Sequence, residues 1–184
     1  SCTGPATPFE ITVNPTAQVN PTVDMVVTDG DNVDIPFSTI NTGGTSTYSW
    51  TNTDPTTGLT NTGSSDVGFT AVNTGTSPIT TTVVVTPTFE NGGNSNSGPT
   101  DTFIITVNPT AQIDPIDSLV FCDEDVVDPI VFTTQNTGGT TTYSWTNDNI
   151  SIGLAASGNG TISAFTVLNS SNQTQVANIF VTPT

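Results

Sequence analysis

The chain has 184 residues and 16 Asp and Glu but no Lys, Arg or His, so its formal charge is −16. Nothing in it can neutralise a phosphate, which excludes a nucleic-acid binder and a polybasic membrane contact. It also has no imidazole poised near neutral pH and no cation to hold an oxyanion, so the chain is not expected to be an enzyme. Paired carboxylates remain a route to glycoside hydrolysis. The acidic residues, however, fall mostly in turns that recur along the chain, which reads as surface and not as one cleft.

Charged residues are 9% of the chain and hydrophobic ones 33%, leaving a polar surface of Thr, Ser and Asn. Runs of Val, Ile, Thr and Phe alternate with polar residues and are broken every ten residues or so by Gly, Pro, Asn and Asp. That pattern predicts an all-β fold of sandwich type. In chain order the expected strands are 8–13, 18–27, 33–40, 46–52, 66–73, 78–86 and 101–107, then 112–121, 127–135, 141–147, 161–168 and 175–182. Period-2 alternation puts Val33, Ile35 and Phe37 on one face, Tyr48 with Trp50 on one face, and Ile79, Thr81, Val83 and Val85 on one face. No apolar run is long enough to span a membrane.

The chain repeats itself. Ile11-Thr12-Val13-Asn14-Pro15-Thr16-Ala17-Gln18 returns unchanged 94 residues on, from 11 to 105. Asn-Pro ends the strand, because proline has no N–H for a ladder and holds the preceding residue extended. Asn41-Thr42-Gly43-Gly44-Thr45 returns at 136–140, Tyr48-Ser49-Trp50-Thr51-Asn52 at 143–147, and Val85-Thr86-Pro87-Thr88 at 181–184. The offset therefore grows from 94 to 96 (85 to 181), which implies two single-residue insertions in the second copy, one near Pro129 and one between Leu154 and Phe165.

This registration predicts three parts: 1–16 as the last strand of a preceding repeat, 17–108 as a complete repeat, and 109–184 as a second repeat lacking its final strand. Residues 8–13 match 102–107, so a donor strand stands at one end and a vacancy at the other. The expected partner is an adjacent repeat, in cis or in trans. Cys2 registers with Asn96, and Cys122 with Thr28. Cys2 and Cys122 are therefore expected not to bond to each other but each to form a disulfide across a repeat boundary.

The ITVNPT joint, the YSWTN strand, the VTPT strand and the Ser-Cys-Thr-Gly start resemble the PKD-like, immunoglobulin-fold repeats of giant Bacteroidetes surface proteins, in particular the SprB-like gliding adhesins. Trp50 sits in Tyr-Ser-Trp-Thr-Asn, where better-known PKD domains carry Trp-Asp-Phe-Gly-Asp-Gly. The resemblance covers the whole chain. It implies tandem immunoglobulin-like β-sandwich repeats cut out of phase, export by type IX secretion, an extracellular cell-surface location, and a structural role in adhesion and gliding motility. The alternatives are a module that binds carbohydrate or surfaces, and a pilus-like subunit assembled by strand donation.

Three candidate sites follow. Asp29-Gly30-Asp31-Asn32 is similar to part of a calcium loop and returns as Asp123-Glu124-Asp125, which makes Asp29, Asp31, Asp123 and Asp125 candidate calcium ligands. The plainer reading is a solvated acidic turn, and no other cofactor is expected. Trp50 and Trp145 read as core anchors, with a sugar-stacking platform as the alternative. Asp117-Ser118-Leu119 resembles the Bacteroidetes O-glycosylation pattern, which marks Ser118.

Overall fold

Alternating runs of Val, Ile, Thr and aromatic residues become strands here only where a partner strand lies alongside. The structure, a computed structural model describing residues 2–184, is almost entirely β and divides into two units. Unit 1 runs to Asn73 and takes up again at Ile79–Asn108; unit 2 is Thr74–Pro78 with Pro109–Thr184. Residues 74–78, expected within the first repeat, thus cluster with unit 2, where the Thr137 amide donates to the Thr76 carbonyl at 2.7 Å.

Unit 1 holds β1 (Met25–Thr28), β2 (Asn32–Ile35), β3 (Thr45–Asn52), β4 (Thr62–Ser64), β5 (Val67–Thr70), β6 (Ile79–Asn91), β7 (Asn94–Ser97) and β8 (Asp101–Asn108). One sheet runs β1-β8-β6-β3-β4, with β7 paired to the far end of β6, and a second is the ladder β2-β5. All these pairs are antiparallel except β1 with β8, which run parallel with Met25 opposite Ile105. The core comprises Val33, Phe37, Trp50, Leu59, Val67, Ala71, Val83, Val85, Phe103, Ile105 and Val107. The expected faces are observed: Val33, Trp50, Thr81, Val83 and Val85 point inward, while Asp34 and Ser49 point out.

Unit 2 holds β9 (Val126–Val127), β10 (Tyr143–Asn147), β11 (Ser157–Asn159), β12 (Phe165–Thr166) and β13 (Ile179–Pro183). Its sheets are β11-β10-β13 and β9-β12. Phe132, Trp145, Leu154 and Ile162 form its core. The central geometry repeats: Phe37 meets Tyr48, and Phe132 meets Tyr143, each with ring centroids 5.5 Å apart and planes at 53°.

The two insertions face each other. In unit 1 the ladder runs without a break from Val33↔Phe69 to Ile35↔Val67, with Asp34↔Gly68 between. In unit 2 Val127 pairs with Phe165, and Ile130 next pairs with Ile162, which leaves Asp128-Pro129 opposite Ser163-Ala164. One extra residue on each strand keeps the hydrophobic partners in register. Because a single slip would flip a strand's faces, a local kink must absorb it. Proline suits that break, since no ladder amide is asked of it.

Two expected strands are absent. Residues 8–13 and 112–121 carry no strand, and Phe9, Ile11 and Val13 are 85%, 76% and 85% exposed. Several others are shorter than expected: β2 ends at Ile35, immediately before Pro36.

Candidate functional site

The acidic turns are built alike, and their carboxylates serve the backbone. Asp31 accepts from the Thr28 amide at 2.8 Å and Asp29 from the Asn73 amide at 2.8 Å. Asp125 accepts from the Cys122 amide and Asp123 from the Asn169 amide, both at 2.7 Å. Gly30 lies in left-handed conformation at φ 87°, and Glu124 takes its place in unit 2 at φ 68°. Each turn therefore ties two loops together through charge-assisted hydrogen bonds. Among the described residues no three acidic, thiol or imidazole groups gather where a metal ion could sit.

Trp50 and Trp145 stand in the core, 6% and 7% exposed, so neither ring offers a face to a sugar. Each lies across a glycine of the neighbouring strand, Trp50 opposite Gly63 and Trp145 opposite Gly158, where a Cβ would collide with the indole. The Trp50 indole N–H donates to the Ser65 carbonyl at 3.2 Å, whereas that of Trp145 is buried with no partner among the described residues.

Beside each Trp is a buried Asn that closes the next loop. Asn52 donates to the carbonyls of Asp54 (3.1 Å) and Leu59 (2.9 Å) and accepts from the Thr81 hydroxyl. Asn147 donates to those of Asn149 (3.2 Å) and Leu154 (3.1 Å). The loop is one 3-10 turn, Pro55–Thr57 or Ile150–Ile152, capped by Asp54 or Asn149 and ended by left-handed Gly58 or Gly153. The reading of the sequence missed both the glycine under the Trp and the Asn hub. Their signal was there, in Gly63/Gly158 and Asn52/Asn147 returning at the same offset of 95 as the Trp.

Hydrogen bonds also set the acidity of three carboxyls. Thr56 holds Asp54, and Asn178 holds Asp148, below the ordinary carboxylate range. Burial pushes Asp101 up, but bonds from Thr22 and the Thr102 amide outweigh it and leave it lowered. An open cleft of ≈ 700 Å³ is lined by Thr141, Thr142, Tyr143, Ser144, Asn159, Gly160 and Thr184, with no acidic side chain among them.

Cys2 and Cys122 are free, exposed thiols, and Ser118 is exposed. The geometry of unit 1 does not support the expected disulfide across the boundary. Thr28, the position equivalent to Cys122, lies level with the Ile79 end of β6, while Asn96, equivalent to Cys2, pairs with Phe89 near its other end. Ten residues of strand separate them by roughly 33 Å, whereas a disulfide needs Cα atoms about 4.4–6.8 Å apart.

The largest difference between the units is an open sheet edge. In unit 1, β8 lies between β6 and β1 and sends Phe103, Ile105 and Val107 inward, each at most 1% exposed. In unit 2, β13 is an edge strand, and residues 119–122, equivalent to β1, have no strand partner among the described residues. The consequence is measurable. Val83 and Val85 are 0% exposed, whereas Ile179 and Val181, their equivalents, are only half-buried. Leu119 and Phe121 are 53% and 41% exposed, while Met25 and Val27 pack against the unit 1 core. Asn73 donates to the Val107 carbonyl at 2.7 Å; its equivalent Asn169 turns instead to the Gln173 carbonyl at 2.9 Å.

No helix among the described residues is long and apolar enough to cross a membrane. No protein-family model matches the chain, and no curated protein matches it.

Proposed function

We propose that the chain is a stretch of tandem immunoglobulin-like, PKD-like repeats from an extracellular adhesin filament or stalk, anchored to the cell surface through other regions and serving adhesion and gliding. The observation that carries this reading is the recurrence of one structural kit. The Asp turn, the Trp-over-Gly pair, the Asn hub with its 3-10 turn and the Phe–Tyr contact all return 94 to 96 residues on. Such a kit suits a scaffold copied for length, because the repeated groups hold backbone to backbone and no reactive cluster converges among the described residues. Uniform negative charge suits a filament whose neighbours must stay apart. The burial of both Trp rings removes the support for a carbohydrate platform built on them.

The test is the mass of the native polypeptide, denatured and reduced. The expected value is many times 18.9 kDa, on a protein that proteases added to intact cells can reach. A mass near 18.9 kDa would overturn the filament reading.

A further inference from the structure

We infer that the open edge of unit 2 is a strand-binding groove whose occupant is the Phe9–Val13 segment of a second copy of this chain, lying antiparallel to β13 and parallel to residues 119–122. The proposal deepens the filament reading and rests on it only for the idea that copies join end to end.

The groove and the strand are both exposed and both apolar in the right places. The segment alternates Phe9, Ile11 and Val13, all exposed, with Glu10 and Thr12 between. These register with Phe103, Ile105 and Val107, which fill the corresponding slot of unit 1. Carried across at the repeat offset, the unit 1 ladder sets Phe9 opposite Ile179 and Ile11 opposite Ala177 on one side. On the other side it sets Ile11 beside Leu119, Val13 beside Phe121 and Asn14 beside Cys122. Leu119 and Phe121 would thereby lose the exposure that Met25 and Val27 lack.

Pro8 fits this register. In unit 1 the Ile104 amide leaves the β6 side and donates to the Asp24 carboxylate at 2.7 Å. Thr102, two residues earlier, aims its amide the same way, since amides alternate along a strand. Pro8 stands at that position, so its missing N–H costs the β13 ladder nothing. The joint behind the strand is already formed on the donor: Asn14 and Asn91 exchange side-chain bonds, with the Asn14 amide on the Asn91 carbonyl at 3.1 Å. The contact joins unlike surfaces and leaves a free strand at one end and a free groove at the other, so it propagates head to tail.

The register can be read by crosslinking the full chain. With Cys2→Ser in place, Asn14→Cys puts a thiol beside the native Cys122 of the acceptor, whereas Ala6→Cys puts one eight residues away in the same exposed segment. Under copper–phenanthroline oxidation, Asn14→Cys should give covalent dimers and longer multimers at least tenfold more readily than Ala6→Cys. Equal yields, no crosslink, or a crosslink only within one chain would overturn the proposal. Sedimentation supplies a second reading. Ile11→Asp, which spoils the strand, and Phe121→Asp, which spoils the groove, change residues 76% and 41% exposed, so each variant should fold. Each should sediment as a monomer alone, and a mixture should form a one-to-one dimer; a mixture that stays monomeric overturns the docking. A native mass near 18.9 kDa with crosslinking intact would remove the filament reading and leave the strand exchange, and a large mass without crosslinks would do the reverse.

Discussion

Glu124, like Ser65, is a side chain held in left-handed backbone. It holds φ 68° where the other copy of the turn has Gly30, and a side chain in left-handed backbone costs about 1 kcal/mol or more. Glu124→Gly should therefore stabilise unit 2 by about 1 kcal/mol, read as a higher urea midpoint with unchanged slope, while Gly30→Ala should lower that of unit 1. Glu124→Gln, which removes the charge and keeps the strain, separates the two causes and should recover little of the gain. Asp101 is the partly buried one of the three carboxyls that contribute to the acid response. Its folded pKa lies below the unfolded one because Thr22 and the Thr102 amide hold the carboxylate against a burial effect that pushes it up. Its contribution is thus full above the ordinary value of about 4 and is lost as pH falls through the lowered folded value. Asp101→Asn should flatten the fall in melting temperature below about pH 4 and lower the plateau above it.

At the scale of elements, the Trp-over-Gly pair ties each sheet's outer strand to the core. β4 and β11 have little to bury, reading Thr-Gly-Ser and Ser-Gly-Asn, yet each is held because its glycine leaves room for the indole against it. Gly63→Ala pushes a methyl into the ring and should cost about 1–3 kcal/mol by chemical denaturation. The same change at Gly68, where a Cβ meets nothing within 4 Å, should cost much less. The strands legible from alternation alone were those with a fixed neighbour, such as β3 and β6. Alternation in 8–13 was just as clear, but a strand is a ladder between two segments, and neither 8–13 nor 112–121 forms a ladder among the described residues.

The whole molecule carries charge of one sign. With no Lys, Arg or His, every interaction between charged side chains is repulsive, and no attractive side-chain pair is available for salt to weaken. Raising NaCl from about 0.01 M to about 0.15 M shortens the screening length from about 30 Å to about 8 Å. The melting temperature should therefore rise across that range and not fall. A fall would mean that carboxylate–amide bonds of the kind made by Asp29 and Asp123, and not the repulsion, dominate the salt response.

The sequence by itself determined the all-β class, the repeat and its growing offset, the inward faces of β2, β3 and β6, and the core position of Trp50 and Trp145. These are local or periodic properties, set by which residues alternate and which return. Only the tertiary structure decided that the acidic turns spend their carboxylates on backbone amides and that the two insertions cancel across one ladder. It also placed Thr28 and Asn96 at opposite ends of β6 and left one edge of unit 2 open. Each of these depends on what lies beside a residue across the sheet, and pairing between distant segments is not written in either strand alone.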